Sequence, residues 1–123
     1  MKEITYILKE YLKYHNESLQ KYGENTVVLM QVGGFYEIYA VVNETTNVGA
    51  DIYQLADILG IQVARRNKNI QEINYKNFLM VGFPKNALPR FREILLNNNY
   101  TVVLVNQVTE PPNPQRQITN IYI

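Results

Sequence analysis

The fold is decided by residues 26–42, which read TVVLMQVGGFYEIYAVV. Residues 26–32 are a short apolar run, β-branched at its start, and such a run is typical of a buried strand. Gly33 and Gly34 interrupt the run, because adjacent glycines favour a turn. Residues 35–42 then predict a second strand, so this stretch alone indicates two strands of a sheet.

Helices and further strands alternate on both sides of this stretch. Residues 3–22 place Ile4 and other apolar side chains at three- and four-residue spacing, which predicts an amphipathic helix that ends at Gly23. Asn86 is predicted to cap a later helix, with Pro89 tolerated in its first turn. The remaining predictions are a turn over 43–49, helices over 50–59 and 87–96, a loop over 67–77, a bend over 110–114, and strands over 61–66, 78–83, 100–108 and 117–123.

This order of elements predicts an α/β fold of the α+β type, with a mixed sheet of about five or six strands flanked by helices. The length of 123 residues and the hydrophobic fraction of 46% fit a single domain over residues 1–123. The chain stops directly after a predicted strand with no polar tail, which indicates a fragment of a longer protein.

Several kinds of chemistry lack the residues that they need. The sequence has no cysteine and one histidine, His15, on the apolar side of the first helix, so we predict a packed or half-exposed side chain rather than a catalyst or a zinc ligand. Asp51 and Asp57 lie six positions apart and do not share a helix face. The sequence contains no phosphate-binding loop motif, and no apolar run approaches the roughly 18 residues that span a bilayer. We therefore predict no catalysis, no metal site and no membrane contact.

The charge is divided unevenly between the two halves of the chain. Residues 1–60 hold four lysines against eight acidic residues, a net charge of −4, whereas residues 61–123 hold eight basic against three acidic residues, a net charge of +5. Neutralisation of phosphates supplies most non-specific affinity for DNA. With a total charge of +1, the isolated chain is predicted to bind DNA only weakly. We also expect the isolated chain to be a monomer.

One group of residues after the glycine pair has a specific physical use. Phe35 and Glu37 are two positions apart in a strand and share a face, while Tyr36 points the opposite way, into the core. An apolar wedge such as Phe35 can enter a minor groove and kink the duplex at an unstacked base. Phosphates repel the carboxylate of Glu37, so this residue is tolerated beside DNA only where it gains a hydrogen bond to a displaced base, and it penalises intact duplex.

GGFYEIY, residues 33–39, resembles the GDFYELF-type signature of the N-terminal domains of the MutS family. The similarity continues through residues 49–66, 78–112 and 116–123, and so covers nearly the whole chain in order. Two positions depart from the family pattern: Gly34 stands where the family has aspartate, and Gln31 where it has arginine.

By this resemblance, Phe35 is the intercalating wedge, Glu37 hydrogen-bonds the mispaired base, and Gly33 matches the glycine before the motif. Gly33 and Gly34 together are expected to form the supporting loop. Three basic residues lie at the end of the predicted third strand or just after it, where they either contact phosphates or form a solvated basic edge: Arg65, Arg66 and Lys68.

The resemblance also implies a setting for the chain. The partner is double-stranded DNA that contains a mismatch, and the whole protein is a dimeric ATPase that uses ATP and magnesium in parts outside this chain. No cofactor is expected in the chain itself. The expected location is inside the cell with the DNA, in the cytoplasm, the nucleus, an organelle or a viral factory.

Two other functions stay open from the residues alone. One is a protein-interaction module that does not read DNA, and the other is a small nuclease-like α/β enzyme, which needs clustered acids and a lysine at a sheet edge. A plain amphipathic strand that buries Phe35 in the core would also produce the Phe-Tyr-Glu sequence. A Phe35 side chain buried among the interior residues of the sheet would therefore contradict the wedge.

Overall fold

The computed structural model describes the backbone of residues 2–123 and the side chains of residues 6–123, so the predicted apolar contact of Ile4 lies outside the described residues. Within this range the chain forms three α-helices, seven strands and one short 3₁₀ turn at Lys85–Ala87. The helices are α1 (Lys2–Tyr22), α2 (Ile52–Leu59) and α3 (Leu88–Asn97). The strands are β1 (Thr26–Val32), β2 (Phe35–Val42), β3 (Asn47–Gly49), β4 (Ala64–Arg65), β5 (Leu79–Pro84), β6 (Thr101–Gln107) and β7 (Arg116–Tyr122).

All of the strands belong to one mixed sheet, as predicted. Their order across the sheet is β4-β5-β2-β1-β6-β7, and β3 pairs with β2 beside this path. The β1 and β6 strands run parallel, whereas the other neighbouring pairs run antiparallel. The central strands β1 and β6 are apolar on both faces because helices cover both faces, and such strands read as continuous hydrophobic runs.

Helix α1 covers the face of the sheet that carries Tyr39. The Tyr11 hydroxyl donates to the backbone oxygen of Val28 at 2.9 Å, and its ring lies 5.2 Å from that of Tyr39. His15 is packed on the same side of the helix, as predicted, and burial lowers its pKa. Arg116 of β7 pairs with Glu10 of α1 at 2.7 Å, which ties the edge strand to this helix.

Helices α2 and α3 cover the opposite face. Phe91 of α3 lies with its ring centroid 4.5 Å from that of Phe83 in β5. Leu95 of α3 and Ile52 and Leu55 of α2 are also buried, so the apolar residues at helical spacing in both segments face the sheet. Among residues 2–123, no helix has both the length and the apolar character needed to cross a membrane.

The structure corrects three details of the prediction and confirms a fourth. The described residues contain seven strands rather than five or six, because the turn predicted over 43–49 includes the short strand β3, which pairs with β2. The strand predicted over 61–66 is reduced to β4, which forms two pairs with β5. Asn86 does not cap α3: Ala87 occupies the cap position without a side-chain hydrogen bond, and a 3₁₀ turn precedes the helix. Pro89 does lie in the first turn, where it removes no hydrogen bond.

Candidate nucleic-acid interface

The turn between β1 and β2 contains two residues, Gly33 and Gly34. Val32 pairs directly with Phe35 across it, which makes it a two-residue hairpin. Gly33 has a φ of 59°, in the left-handed region, whereas Gly34 has no positive φ. A positive φ at the first central residue alone is the pattern of a type II′ turn, which matches the twist of the flanking strands. We call residues Gly33, Gly34 and Phe35 the hairpin tip.

Three hydrogen bonds fix the hairpin tip to the neighbouring strands. The backbone N–H of Gly33 donates to Gln107 Oε1 at 2.6 Å, and Gln31 Nε2 donates to the oxygen of Gly33 at 3.0 Å. On the other side, the N–H of Lys85 donates to the oxygen of Gly34 at 2.9 Å. The tip is thus held by both β6 and the end of β5, although its residues are exposed.

Phe35 is the first residue of β2 and its side chain is 48% exposed. Tyr36 faces the other way, is 4% exposed, and donates its hydroxyl proton to Asn106 Oδ1 at 2.6 Å. The alternation predicted for this strand is therefore confirmed. The interpretation that placed Phe35 in the core is wrong, because the strand begins at the edge of the region that α1 covers and leaves the ring in solvent.

Glu37 shares a face of β2 with Phe35, but it is 8% exposed and is not a free surface group. The Tyr39 hydroxyl donates to Glu37 Oε1. The carboxylate lies over Gly82 of β5, where a Cβ atom would be 3.4 Å from Glu37 Cγ. The pair thus differs in exposure: Phe35 projects outward, while Glu37 is held down between its neighbours.

Tyr39 is fully buried, and this position determines its protonation state. Burial, then the negative charge and the hydrogen bond of Glu37, raises the pKa of Tyr39 well above its ordinary value. The hydroxyl therefore keeps its proton and stays a donor to the carboxylate.

The three predicted phosphate contacts do not have equal access to solvent. Arg65 is half-buried and its guanidinium donates to the oxygens of Lys68 at 2.7 Å and Ile70 at 2.8 Å. Arg66 and Lys68 are exposed, and the Arg66 guanidinium lies 6.0 Å from the centre of the Phe78 ring. Arg65 thus acts within its own loop, whereas Arg66 and Lys68 present their charge to solvent.

These basic residues are not next to the hairpin tip. Arg65 pairs with Leu79 at the start of β5, whereas Phe35 pairs with Pro84 at its end. Five residues of strand correspond to roughly 15 Å. We call residues 65–77 the basic loop. Its centre is the buried side chain of Asn77, which bonds the backbone of Asn67, Ile70 and Glu72.

Sequence reasoning missed Lys85 and the roles of Gln31 and Gln107. Lys85 is exposed and directly follows Pro84, the partner of Phe35, so it places a cation beside the hairpin tip. Only the pairing register of β2 with β5 places Lys85 beside Phe35, and this register cannot be read from the sequence alone. Gln31 was noted only as a departure from the family pattern, yet it also accepts the N–H of Gln107 at 2.8 Å.

Comparisons with known proteins agree with the resemblance seen in the sequence. A family model described as MutS domain I matches residues 10–122. A DNA mismatch repair protein mutS homologue of Acanthamoeba polyphaga mimivirus is 30% identical over 120 residues, which are 96% of this chain and 10% of the relative. DNA mismatch repair protein MutS of Petrotoga mobilis is 26% identical over 98% of this chain and 12% of the relative.

A mitochondrial DNA mismatch repair protein mutS homologue of Sarcophyton glaucum is 24% identical over 92% of this chain and 13% of the relative. The chain therefore spans about a tenth of the length of the curated relatives that it matches.

Proposed function

This chain belongs to the MutS domain I family, whose members are modules of mismatch recognition. We propose that the chain probes mispaired DNA by inserting Phe35 into the minor groove. The observation that carries the proposal is the exposed phenyl ring on a hairpin tip that three hydrogen bonds fix in place. In the proposed complex, Glu37 accepts a hydrogen bond from the displaced base.

The free energy of unstacking accounts for the selectivity. Opening a base step costs about a few kcal/mol, whereas stacking of an aromatic side chain on a base returns about 1–3 kcal/mol. A mismatched step has already lost part of its pairing free energy, so the balance favours insertion there. Such selectivity arises from deformability and needs no sequence code.

Rigidity of the hairpin tip contributes to the same balance. A free loop would lose conformational entropy when its phenyl ring enters the duplex. Gly33 and Gly34 are already held by side chains of β1 and β6 and by the backbone after β5, so little of that entropy remains to be lost.

Phosphate contacts in this proposal come from exposed cations near the two ends of β5. Lys85 lies beside the hairpin tip, and Arg66 and Lys68 lie farther along the sheet. Few cations are involved, so the chain alone should have an affinity in the range of non-specific binding, with a Kd of about 10⁻⁴–10⁻⁶ M at physiological salt. Submicromolar affinity under those conditions would contradict this estimate.

The whole protein is also part of the proposal. We infer that this module belongs to a longer, dimeric protein that binds ATP and magnesium through other domains and works inside the cell on its DNA. Support comes from the family and from the small fraction of each relative that the chain spans. The chain itself supplies recognition rather than catalysis.

The proposal is tested with two duplexes that differ only in a central pair, one matched and one mismatched, with 2-aminopurine beside it. At low salt, the wild-type chain should bind the mismatched duplex more tightly and raise its fluorescence by unstacking. Phe35→Ala should weaken that binding by about 5- to 150-fold, the equivalent of 1–3 kcal/mol of stacking, and leave matched binding unchanged.

The control variant is Tyr53→Ala, which removes an exposed aromatic ring from α2 on the opposite face of the sheet. It should bind both duplexes as the wild type does. Equal loss of matched and mismatched binding in Phe35→Ala, or no loss at all, would overturn the wedge.

A further inference from the structure

A buried hydroxyl touches the carboxylate of this site and is not itself within reach of DNA. Tyr39 is fully buried, whereas Glu37, two residues earlier on the same strand face, retains 8% exposure. The Tyr39 hydroxyl donates to Glu37 Oε1, and Glu37 Oε2 lies on the side of Gly82. One carboxylate oxygen is thus occupied from within the domain, and the other remains for a ligand.

We propose that Tyr39 is a positioning residue that fixes Glu37 as a hydrogen-bond acceptor, so that the site prefers mispaired bases with a ring N–H on the Watson–Crick edge. The inference rests on the proposed function, because it assigns base preference to the same site. Thymine and guanine carry such a ring N–H, whereas neutral adenine and cytosine carry an unprotonated ring nitrogen at the equivalent position. Their exocyclic amines lie on the major-groove edge.

The Tyr39 ring is held rigidly enough to aim its hydroxyl. Its centroid lies 5.2 Å from that of Tyr11 on α1 and 4.7 Å from that of Phe78, which precedes β5. Both rings are tilted against it, an arrangement favoured by aromatic quadrupoles. With the ring fixed on two sides, the position of the hydroxyl, and through it that of Glu37 Oε1, is set by the core.

The direction of the hydrogen bond decides the base preference. A carboxylate only accepts hydrogen bonds. Because Tyr39 engages Oε1, Oε2 is the acceptor that Glu37 offers to a displaced base. The free oxygen then meets the ring N–H of a displaced thymine favourably and the lone pair of a displaced cytosine unfavourably. Without the Tyr39 donor, neither carboxylate oxygen is held in place, so Glu37 can turn away from the base and the discrimination between thymine and cytosine weakens.

The experiment compares T·T with C·C mismatches in otherwise identical duplexes, at a mildly alkaline pH where cytosine is neutral. The wild-type chain should prefer T·T. Tyr39→Phe keeps the ring and removes the hydroxyl, and it should lower the ratio of the two affinities by about three- to ten-fold. If Tyr39 had a purely structural role, Tyr39→Phe would weaken the binding of both duplexes alike and leave the ratio of the two affinities unchanged.

Tyr11→Phe is the matched control. It also removes a buried hydroxyl from the same face of the sheet, one that donates to the backbone of Val28 rather than to Glu37. The ratio of T·T to C·C affinity in Tyr11→Phe should stay within about two-fold of the wild-type value. In a Glu37→Gln background, Tyr39→Phe should have no further effect on the ratio, because the residue acts through Glu37.

A second measurement does not depend on DNA. The Tyr39 hydroxyl proton should be visible by NMR in slow exchange with solvent, and it should shift or vanish in Glu37→Ala. Absence of that signal in the wild-type chain would overturn the inference.

The failures are distinguishable. If Phe35→Ala abolishes mismatch preference but Tyr39→Phe behaves like Tyr11→Phe, only the role of Tyr39 is wrong. If Phe35→Ala has no selective effect, the proposed function fails and the inference fails with it.

Discussion

The hairpin tip and the basic loop are both built by side chains that bond backbone groups, but the two present opposite chemistry. The hairpin tip is fixed by Gln31 and Gln107 and exposes the phenyl ring of Phe35. The basic loop is organised around Asn77 and exposes the cations of Arg66 and Lys68.

The difference separates two requirements of the proposed mismatch recognition, which are affinity for any duplex and selectivity for a mismatch. Charges that contact phosphates add affinity for any duplex, and this contribution to the affinity falls as the salt concentration rises. An apolar ring at a fixed position adds affinity only where a base step opens. Because the two regions lie on different strands and roughly 15 Å apart, each should respond to mutation without the other.

The largest expected effect on stability is that of Asn77→Ala in the basic loop. Its side chain accepts the N–H of Asn67 and donates to the oxygens of Ile70 and Glu72, at 2.7–3.0 Å, so its loss leaves buried groups without partners. The free energy of unfolding should fall by about 2–4 kcal/mol in chemical denaturation. Mismatch selectivity of the folded fraction should not change.

Asn69→Ala, at an exposed position of the same loop, provides the control and should change the unfolding free energy by less than about 0.5 kcal/mol. If Asn77→Ala altered the ratio of mismatched to matched binding in the folded chain, the two regions would not be independent.

The next largest effect on stability is expected at the hairpin tip, where the two glycines should respond differently to substitution. Gly33 has a φ of 59° and Gly34 does not, while a Cβ atom at either would meet no described heavy atom within 4 Å. Gly33→Ala should therefore lower the unfolding free energy by about 1–2 kcal/mol, the cost of a left-handed conformation for an L-residue.

Gly34→Ala should have almost no effect on stability, since neither strain nor a clash opposes it. Thermal unfolding of the two variants side by side measures the difference. Equal destabilisation would show that the turn is not of the type assigned from the φ of Gly33.

Most of the fold was predictable because its strong signals are local. The helix over Lys2–Tyr22 and the strands β1 and β2 follow from apolar spacing and from the glycine pair, and all three agree with the structure. The short strands β3 and β4 were misjudged because their pairing with β2 and β5 depends on partners distant in sequence.

The site was predictable only in part. Alternation along β2 placed Phe35 outward and Tyr36 inward, as found. It did not predict the burial of Glu37, because that depends on the hydroxyl of Tyr39 and on the missing side chain of Gly82, contributed by a strand more than forty residues away. Period-two patterns assign a face but not the depth of a side chain in it.

A smaller effect is expected from Gln107→Ala, which removes the acceptor of the Gly33 N–H. This bond is exposed, so the unfolding free energy should fall by only about 0.5–1.5 kcal/mol. Mismatch selectivity should fall more clearly, because a looser hairpin tip must lose entropy on insertion. Fluorescence of 2-aminopurine beside the mismatch measures the selectivity.

Gln117→Ala on the neighbouring strand β7 is the comparison, since this exposed glutamine side chain makes no described hydrogen bond to the hairpin tip. It should change neither stability nor selectivity. A Gln107→Ala chain with unchanged selectivity would mean that rigidity of the hairpin tip does not contribute to recognition.

The smallest effect on stability, and the one that most directly isolates the basic loop, is expected from Arg66→Ala and Lys68→Ala. Both side chains are exposed, so each change should alter the unfolding free energy by less than about 0.5 kcal/mol. Each should lower the slope of log affinity against log salt by about 0.9 if its residue contacts one phosphate. Matched and mismatched duplexes should lose affinity equally.

Arg65→Ala and Lys13→Ala are the controls for this prediction. The Arg65 guanidinium is occupied by two carbonyl oxygens, so its loss should destabilise the loop and change the salt slope less than Arg66→Ala does. Lys13 is an exposed cation on α1, outside the basic loop, and its loss should leave the slope unchanged. If all four variants lowered the slope alike, net charge alone would explain the binding; if only Arg66 and Lys68 did so, position in the basic loop is what counts.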